Sequence, residues 1–267
     1  MTTGDWSYGL DASIPSPARM YDYYLGGQHN FAADREAAER VIAIMPQVPR
    51  IAQANRAFLG NAVRYMLQHG VRQFLDVGSG LPTVGNVHEL AAEVDPRSRV
   101  VYVDTDPVAI ELSLALLRGQ PNATAIRADL RYPDAILAHH NVRTAFDWTQ
   151  PVGLLIVSVL QFVADDDAYP AVARLRDALA PGSYLAVSHI VADALGEDRF
   201  DAVAEVYRSS TAPTSARRDR NQVLRFFDGL DLVEPGLVWV SQWQPGSALT
   251  TDDHDIAIVA GVARKTA

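Results

Sequence analysis

A short segment decides the fold: Phe74-Leu75-Asp76-Val77-Gly78-Ser79-Gly80. Its first four residues predict a strand, and the glycine-rich turn after them leads into a helical pattern. In a doubly wound sheet, ligands bind at the carboxyl edge of the strands, where the strand order reverses. Glycines let the backbone approach a ligand closely and adopt conformations that a Cβ forbids. We therefore predict a ligand-binding strand–turn–helix unit, with an ordinary structural turn as the alternative.

From Gly70 onward, short apolar runs alternate with amphipathic segments. The predicted strands are 73–77, 99–103, 124–128, 153–159 and 184–190, followed by two late strands at about 230–240 and 255–263. The predicted helices are 83–93, 107–117, 134–139, 166–179, 197–209 and about 221–228. Alternating strands and helices predict a parallel sheet covered on both faces, and thus an α/β fold.

The first 70 residues have a different pattern. Residues 1–16 lack periodicity and predict an extended arm, whereas three helical patterns follow at about 17–25, 34–45 and 49–68. Gly26-Gly27, Pro46 and Gly70 mark their ends. We divide the chain into an N-terminal helical extension that acts as a lid, residues 1–70, and an α/β core, residues 71–267.

Composition excludes several classes of function. The 267 residues include no cysteine, which rules out disulfides, thiolate metal sites and a cysteine nucleophile. The net charge of −9 disfavours binding to nucleic acid or to an anionic membrane. The chain starts without a signal-peptide pattern, and its longest apolar stretch, 152–159, is too short to span a bilayer. We expect a cytoplasmic protein that holds no metal, and we interpret His139-His140 as a surface pair.

Acidic residues follow the second and third predicted strands. Asp104 is placed to accept hydrogen bonds from both ribose hydroxyls of an adenosine. Asp106 precedes Pro107, a pair typical of a helix N-cap and first turn, so we assign it mainly to capping. Asp129 can accept from an adenine amino group while Leu130 packs on the ring.

The glycine turn indicates which nucleotide cofactor is bound. Dinucleotide sites favour G-x-G-x-x-G, but here Thr83 occupies the third glycine position. Pro82 also removes an amide where a diphosphate would need donors. The pattern suits a ligand with adenosine and no phosphates, of which S-adenosylmethionine is the commonest. A nicotinamide-dependent oxidoreductase remains a disfavoured alternative.

Several segments resemble one bacterial methyltransferase family. FLDVGSGLPT, VVYVDTDPVAI and IRADL resemble the successive cofactor motifs of class I methyltransferases. ARMYDYYLGGQHNFAADREAAERV, ANRAFLGNAVRYM and FFDGLDLVEPGLVWVSQWQP resemble the S-adenosylmethionine methyltransferase family long catalogued as a domain of unknown function. The likeness extends over about residues 15–265, although the loop 247–254 departs from the family's version.

The resemblance implies a doubly wound, Rossmann-like, seven-stranded, mostly parallel sheet whose last strand is antiparallel. It also implies the cofactor contacts. These are the methionine part on Gly78, Ser79 and Gly80, the ribose on Asp104 and Thr105, the adenine on Asp129 and Leu130, and the sulfonium above Ser158.

The first helical pattern places Arg19, Asp22, Tyr23 and Gly26 on one stripe. We predict that this stripe forms a lid over the cofactor. In that interpretation Arg19 pairs with the methionine carboxylate and Asn30 binds the methionine end. Aromatic faces for the sulfonium come from Tyr21, Tyr23, Tyr24 and Phe31, which also exclude water. The alternative is the apolar face of an ordinary surface helix.

The predicted reaction is in-line transfer of a methyl group to a small molecule, for which no catalytic residue is assigned. His29, His189 and Asp22 are candidate bases, whereas we interpret His88 as structural. A basic cluster at Arg217, Arg218, Arg220 and Arg225 is interpreted as a solvated helix start rather than an acceptor site. We expect Gln161, Phe162 and Val163 to face the acceptor pocket. A non-catalytic protein that binds S-adenosylmethionine is the main alternative function.

Overall fold

A computed structural model describes residues 11–82, 86–243 and 257–266, without the side chain of Asp193. The chain begins with three helices, α1 (Pro17–Tyr24), α2 (Ala32–Ile44) and α3 (Val48–Gln68). These confirm the three helices predicted in the first 70 residues. Apolar residues at three- and four-residue spacing, among them Phe58 and Met66, form the buried face of α3.

An α/β arrangement follows. The described strands are β1 (Gln73–Val77), β2 (Arg99–Asp104), β3 (Ala123–Arg127), β4 (Gly153–Val157), β5 (Tyr184–Ile190), β6 (Asp231–Leu232), β7 (Val238–Trp239) and β8 (Ile258–Arg264). The helices after α3 are α4 (Val87–Val94), α5 (Pro107–Leu116), α6 (Pro133–Ala138), α7 (His140–Ala145), α8 (Asp165–Asp177), α9 (Ala192–Leu195), α10 (Glu197–Arg208) and α11 (Arg220–Leu224).

The strands form one sheet in the order β3-β2-β1-β4-β5-β8. The first five of these are parallel, and β8 runs antiparallel to β5 from Tyr184 opposite Arg264 to Ile190 opposite Ile258. This confirms a doubly wound, mostly parallel sheet with an antiparallel last strand.

The far edge of β8 differs from the prediction. One strand was expected at about 230–240, but β6 and β7 pair separately with β8. Between them Pro235 has no amide hydrogen to donate, and Gly236 turns at φ +88° with its amide donating to Val233 O at 2.7 Å. The described sheet therefore has eight strands at seven positions. Sequence periodicity did not predict this break.

The residues around His139-His140 also differ. The helix predicted at 134–139 matches α6 within one residue, but no helix was predicted at the position of α7, which begins at His140. His139 lies between them as the N-cap of α7, with its Nδ1 accepting from Asn141 N at 3.2 Å.

Alternate side chains of the strands face two separate cores. Phe74 and Leu155 belong to the core that includes α3, whereas Leu75 and Leu154 belong to the core that includes α8. Helix α3 packs on β4, β5 and β8, and α1 and α2 pack on one another. The helical segment is thus joined to the sheet through α3.

Candidate active site

A cavity of about 400 Å³ opens at the carboxyl ends of the parallel strands. Strand β1 lies between β2 and β4, so the chain connections diverge at this point, which is where doubly wound sheets bind ligands. The volume lies within the range of small-molecule sites. The cavity brings together the strand-end residues predicted from the sequence: Gly78, Ser79, Gly80, Asp104, Thr105, Asp129, Leu130 and Ser158.

The glycine turn after β1 forms the floor of the cavity. Gly78 and Gly80 have φ of +75° and +64°, in the left-handed region that favours glycine. A Cβ on Gly78 would lie 2.2 Å from Val159 Cγ2, so the turn and the residues after β4 approach too closely for a side chain. The Oγ of Ser79 is buried without a hydrogen-bond partner among the described residues.

Asp104 ends β2 beside this turn. Its Oδ2 accepts from Gly80 N at 2.7 Å, and its Oδ1 accepts from Asp106 N at 2.9 Å. Burial raises the pKa of Asp104 to about 6. Each carboxylate oxygen has more than one lone pair, so both oxygens can still accept from a ligand hydroxyl.

Asp106 caps α5, as predicted, by accepting from Val108 N at 2.8 Å and Ala109 N at 3.2 Å. Its other oxygen accepts from Arg19 Nη1 at 2.6 Å. The fully buried Arg19 also donates to Asp34 Oδ2 at 2.8 Å and to Ile14 O at 2.7 Å. Every nitrogen of this guanidinium is engaged, so Arg19 lies behind Asp106 and joins the start of α1 to α5.

Four of the predicted lid residues do not line the cavity: Arg19, Tyr23, Asn30 and Phe31. Tyr23 OH donates to Glu39 Oε1 at 2.5 Å, and Asn30 Nδ2 donates to Asp22 Oδ2 at 2.8 Å. The side of α1 that carries Arg19 and Tyr23 thus faces α2 and the loop before α2, which contains Asn30. Tyr21 and Tyr24, the other two aromatic residues predicted for the lid, lie on another side of α1 and line the cavity.

Two charged residues that the sequence did not single out line the cavity close to the glycine turn. Asp76 belongs to β1, and Arg56 projects from α3 with its Nε buried and without a partner among the described residues. Burial raises the pKa of Asp76 to about 7, while the charge of Arg56 acts in the opposite direction. A sequence signal existed, because Asn55 and Arg56 are adjacent polar residues within the helical pattern predicted at 49–68.

Asp129 and Leu130 lie beyond β3. Asp129 forms an ion pair with Arg131, with 2.6 Å between Nη2 and Oδ2. Burial favours the protonated acid, but the hydrogen bonds and the charge of Arg131 outweigh it and lower the pKa of Asp129. Leu130 is buried against the same wall. This end of the cavity therefore offers a carboxylate beside an apolar surface.

Ser158 follows β4 with φ +57°, a rare conformation for a residue with a side chain. Its amide donates to Ser188 Oγ at 3.0 Å, and Ser188 Oγ donates to Asn55 Oδ1 at 2.6 Å. Asn55 Nδ2 then donates to Tyr21 OH at 3.1 Å. A continuous chain of hydrogen bonds thus connects α1, through α3 and β5, to the end of β4.

The rest of the cavity wall is mainly apolar. Gln161, Phe162 and Val163 line it, together with residues from α1, α2, α3 and α10. Those helical residues include Tyr24, Val41, Val48, Ile51, Phe200, Val203 and Tyr207, and Met45 lies just after α2.

The candidate bases lie elsewhere. His189 is fully buried outside the cavity lining, where its Nε2 accepts from Arg218 Nη1 at 2.9 Å and its Nδ1 donates to Ile190 O at 2.5 Å. Burial, with the charge of Arg218, lowers the pKa of His189 to about 3, so the imidazole is neutral. His88 Nδ1 lies 2.8 Å from Tyr102 OH, consistent with the predicted structural role, and His29 is exposed.

The basic cluster does not behave as one solvated group. Arg218 is fully buried and donates to Leu160 O at 2.6 Å, Val163 O at 2.8 Å and Asp165 Oδ1 at 2.9 Å. It therefore fixes the turn after β4 that borders the cavity. The prediction of a solvated side chain was wrong for Arg218 because its partners are distant in sequence.

Comparison with known proteins decides the family. The family model described as S-adenosyl methyltransferase matches residues 4–266. The chain belongs to the S-adenosyl methyltransferase family. A Thermobifida fusca YX protein assigned provisionally as a methyltransferase is 38% identical, with a TM-score of 0.90 over 97% of this chain and 98% of that one. A DUF574 family protein from Streptomyces avermitilis MA-4680 is 39% identical, with a TM-score of 0.89 over 96% and 99%.

A more distant likeness concerns the fold alone. The N-methyltransferase NodS from Bradyrhizobium japonicum WM9, crystallised with S-adenosylhomocysteine, is 13% identical with a TM-score of 0.50 over 80% of this chain and 87% of that one. No curated protein matches the chain. Within the described residues, no helix is long and apolar enough to cross a membrane.

The methyltransferase uses S-adenosylmethionine, and the cavity residues fit that cofactor. Carboxylates at the ends of β2 and β3 match the hydroxyls and the amino group of an adenosine. The glycine turn has room for a chain without phosphates, and Arg56 Nε and Ser79 Oγ are buried polar atoms that lack partners among the described residues. The nicotinamide alternative is not supported.

Proposed function

We propose that the methyltransferase transfers a methyl group to a small-molecule acceptor by in-line displacement. When bound, S-adenosylmethionine supplies an electrophilic methyl group on a sulfonium sulfur. The observation that carries the proposal is the two-part cavity, which is charged at the ends of β1, β2 and β3 and apolar toward α2 and α10. One part suits a nucleoside cofactor, and the other suits a separate organic molecule.

In this proposal the strand ends hold the cofactor. Asp129 and Leu130 bind the adenine, Asp104 and Thr105 the ribose, and the turn from Gly78 to Gly80 the methionine part. Ser158 lies beneath the sulfonium.

Arg56 takes the methionine carboxylate, in place of the role first predicted for Arg19. The support for this change is that Arg56 lines the cavity with a buried, unpartnered Nε among the described residues. Every guanidinium nitrogen of Arg19 is already engaged.

The chain's contribution to catalysis is alignment and exclusion of water. Tyr21 and Tyr24 cover the cavity from α1, and the hydrogen bond from Asn55 to Tyr21 connects this cover to α3. None of the described histidines lines the cavity, so among the described residues no imidazole is placed to act as a general base.

The proposal predicts that Asp104→Asn weakens the binding of S-adenosylhomocysteine by roughly 1–3 kcal/mol, because a charged hydrogen-bond acceptor is lost. Isothermal titration calorimetry measures the effect. Asp166→Asn, which changes an exposed carboxylate in the first turn of α8, is the matched control and should bind normally. Equal affinities for the wild type and Asp104→Asn would remove the ribose assignment.

A further inference from the structure

The apolar part of the cavity differs in charge from the part assigned to the cofactor. We call it the acceptor compartment and define it by Tyr24, Met45, Ile51, Phe162, Val203 and Tyr207. The charged residues lining the described cavity belong to the ends of β1, β2 and β3, with Arg56 of α3 beside Asp76. Around the acceptor compartment, the described lining residues are all uncharged.

This absence of charge bears on what can bind. A carboxylate or phosphate in an apolar compartment would lose its hydration without gaining a partner, which is strongly unfavourable. The phenols do not supply charge either, because Tyr24 OH and Tyr207 OH lie 3.3 Å apart and share a hydrogen bond. Burial raises the pKa of Tyr207 to about 12 and that of Tyr24 well above its ordinary value, so both stay neutral.

Gln161 supplies the polar contact at the border of this compartment. Its Nε2 donates to Ser158 O at 3.0 Å, which fixes the orientation of the amide. Its Oε1 is buried and has no partner among the described residues. A buried amide oxygen without a donor is costly, so a ligand that supplies an N–H or O–H would be favoured here.

The backbone around Gln161 is held in place. Arg218 donates to Leu160 O and Val163 O, on either side of it, and Ala216 N donates to Gln161 O at 2.7 Å. Phe162 packs its ring against Tyr207, with 5.1 Å between centroids. The amide oxygen is therefore presented from a rigid turn next to an aromatic wall.

We propose that the methyl acceptor is an uncharged, largely apolar molecule that presents an N–H or O–H group to Gln161 Oε1. Gln161 is then a specificity-determining residue of the acceptor site. This inference rests on the proposed function, since it takes the second part of the cavity to be the acceptor site.

The test uses three related probes on the protein saturated with S-adenosylhomocysteine. Benzimidazole is uncharged and has one N–H, 1-methylbenzimidazole lacks that donor, and benzimidazole-5-carboxylate carries a negative charge. Dissociation constants are measured by calorimetry or NMR titration at mildly alkaline pH. We expect benzimidazole to bind about tenfold more tightly than the carboxylate and about fivefold more tightly than the methylated probe, the latter as for one neutral hydrogen bond.

Two variants isolate the role of Gln161. Gln161→Met should bind benzimidazole and 1-methylbenzimidazole equally, because the accepting oxygen is gone. Gln150→Met changes an exposed glutamine and should keep the wild-type preference. Continued binding of S-adenosylhomocysteine by both variants shows that they are folded.

Three results would overturn the inference: a carboxylate probe that binds as tightly as benzimidazole, an unchanged preference in Gln161→Met, or no binding of benzimidazole at millimolar concentration. Failure of the proposed function would look different, because S-adenosylhomocysteine itself would not bind.

Discussion

Asp104 is buried at the end of β2, yet its assigned role requires a charged carboxylate. Its pKa is raised to about 6 by burial, and the amides of Asp106 and Gly80 only partly offset this. Without a ligand, part of the population is therefore protonated just below neutral pH. A protonated carboxyl accepts fewer hydrogen bonds from ribose hydroxyls than a carboxylate does.

We predict that the affinity for S-adenosylhomocysteine falls as the pH is lowered through about 6. Calorimetry across this range measures the change. Asp104→Asn should bind weakly with little pH dependence, because the titrating group is absent. A wild-type affinity that stays constant through this range would contradict the assignment.

Asp104 should affect the free energy of unfolding of the ligand-free protein in the opposite direction, so that stability increases where the affinity for S-adenosylhomocysteine falls. Its pKa in the folded state is raised above the ordinary 3.8, so the folded state binds the proton more tightly than the unfolded state. Its contribution to the free energy of unfolding therefore increases as the pH falls from above about 6 toward 3.8. His189 has the opposite effect, because its pKa is lowered from 6.5 to about 3. Its contribution to the free energy of unfolding decreases as the pH falls through that range. Protonation of Asp104 stabilises the folded state, so it would not weaken binding at low pH by unfolding the protein.

At the scale of elements, the turn after β1 offers a matched pair of glycines. Gly78 and Gly80 both have positive φ, but a Cβ on Gly78 would overlap Val159 whereas a Cβ on Gly80 meets nothing within 4 Å. We predict that Gly80→Ala costs roughly 1–2 kcal/mol of backbone strain and that Gly78→Ala costs clearly more. Urea denaturation measures both, and Gly78→Ala with Val159→Ala should recover part of the difference. Equal losses in the two single variants would show that the close approach is unimportant.

Arg217 and Arg218 provide a second matched pair, in the segment before α11. Arg218 is fully buried with two carbonyl partners, whereas Arg217 is partly exposed and pairs with Glu197 and Asp201 on the surface. We expect Arg218→Met to lower the free energy of unfolding by roughly 2–4 kcal/mol, because Val163 O and His189 Nε2 lose their donor and Leu160 O keeps only Val163 N. Arg217→Met should lower it by at most about 1 kcal/mol. Similar losses of stability in the two variants would contradict the role of Arg218 in fixing the turn after β4.

Local sequence patterns correctly predicted those elements whose bounds depend only on their own residues. Strands β1 and β5 have the predicted bounds, and each is a short, largely apolar run that begins after a polar residue. Helix α7 and the break between β6 and β7 were missed, since each depends on a single cap or turn. The predicted loop at 247–254 lies outside the described residues.

At the scale of the whole molecule, the sequence predicted the strand-end half of the site better than the helical half. Residues that follow parallel strands meet at one edge because the fold requires it, so the sequence placed Asp104 and Asp129 at the edge where the cavity lies, and the family resemblance added Ser158. The face that a helix presents to the sheet depends on how the helix packs. The stripe containing Arg19 was therefore assigned to the cofactor, whereas Arg56 on α3 lines the cavity.

The most direct test of these assignments is a crystal structure of the protein with S-adenosylhomocysteine bound. We expect adenine beside Asp129 and Leu130, ribose hydroxyls on Asp104, the carboxylate on Arg56, and the sulfur facing the acceptor compartment. A ligand bound outside this cavity, or one whose ribose does not contact Asp104, would contradict them.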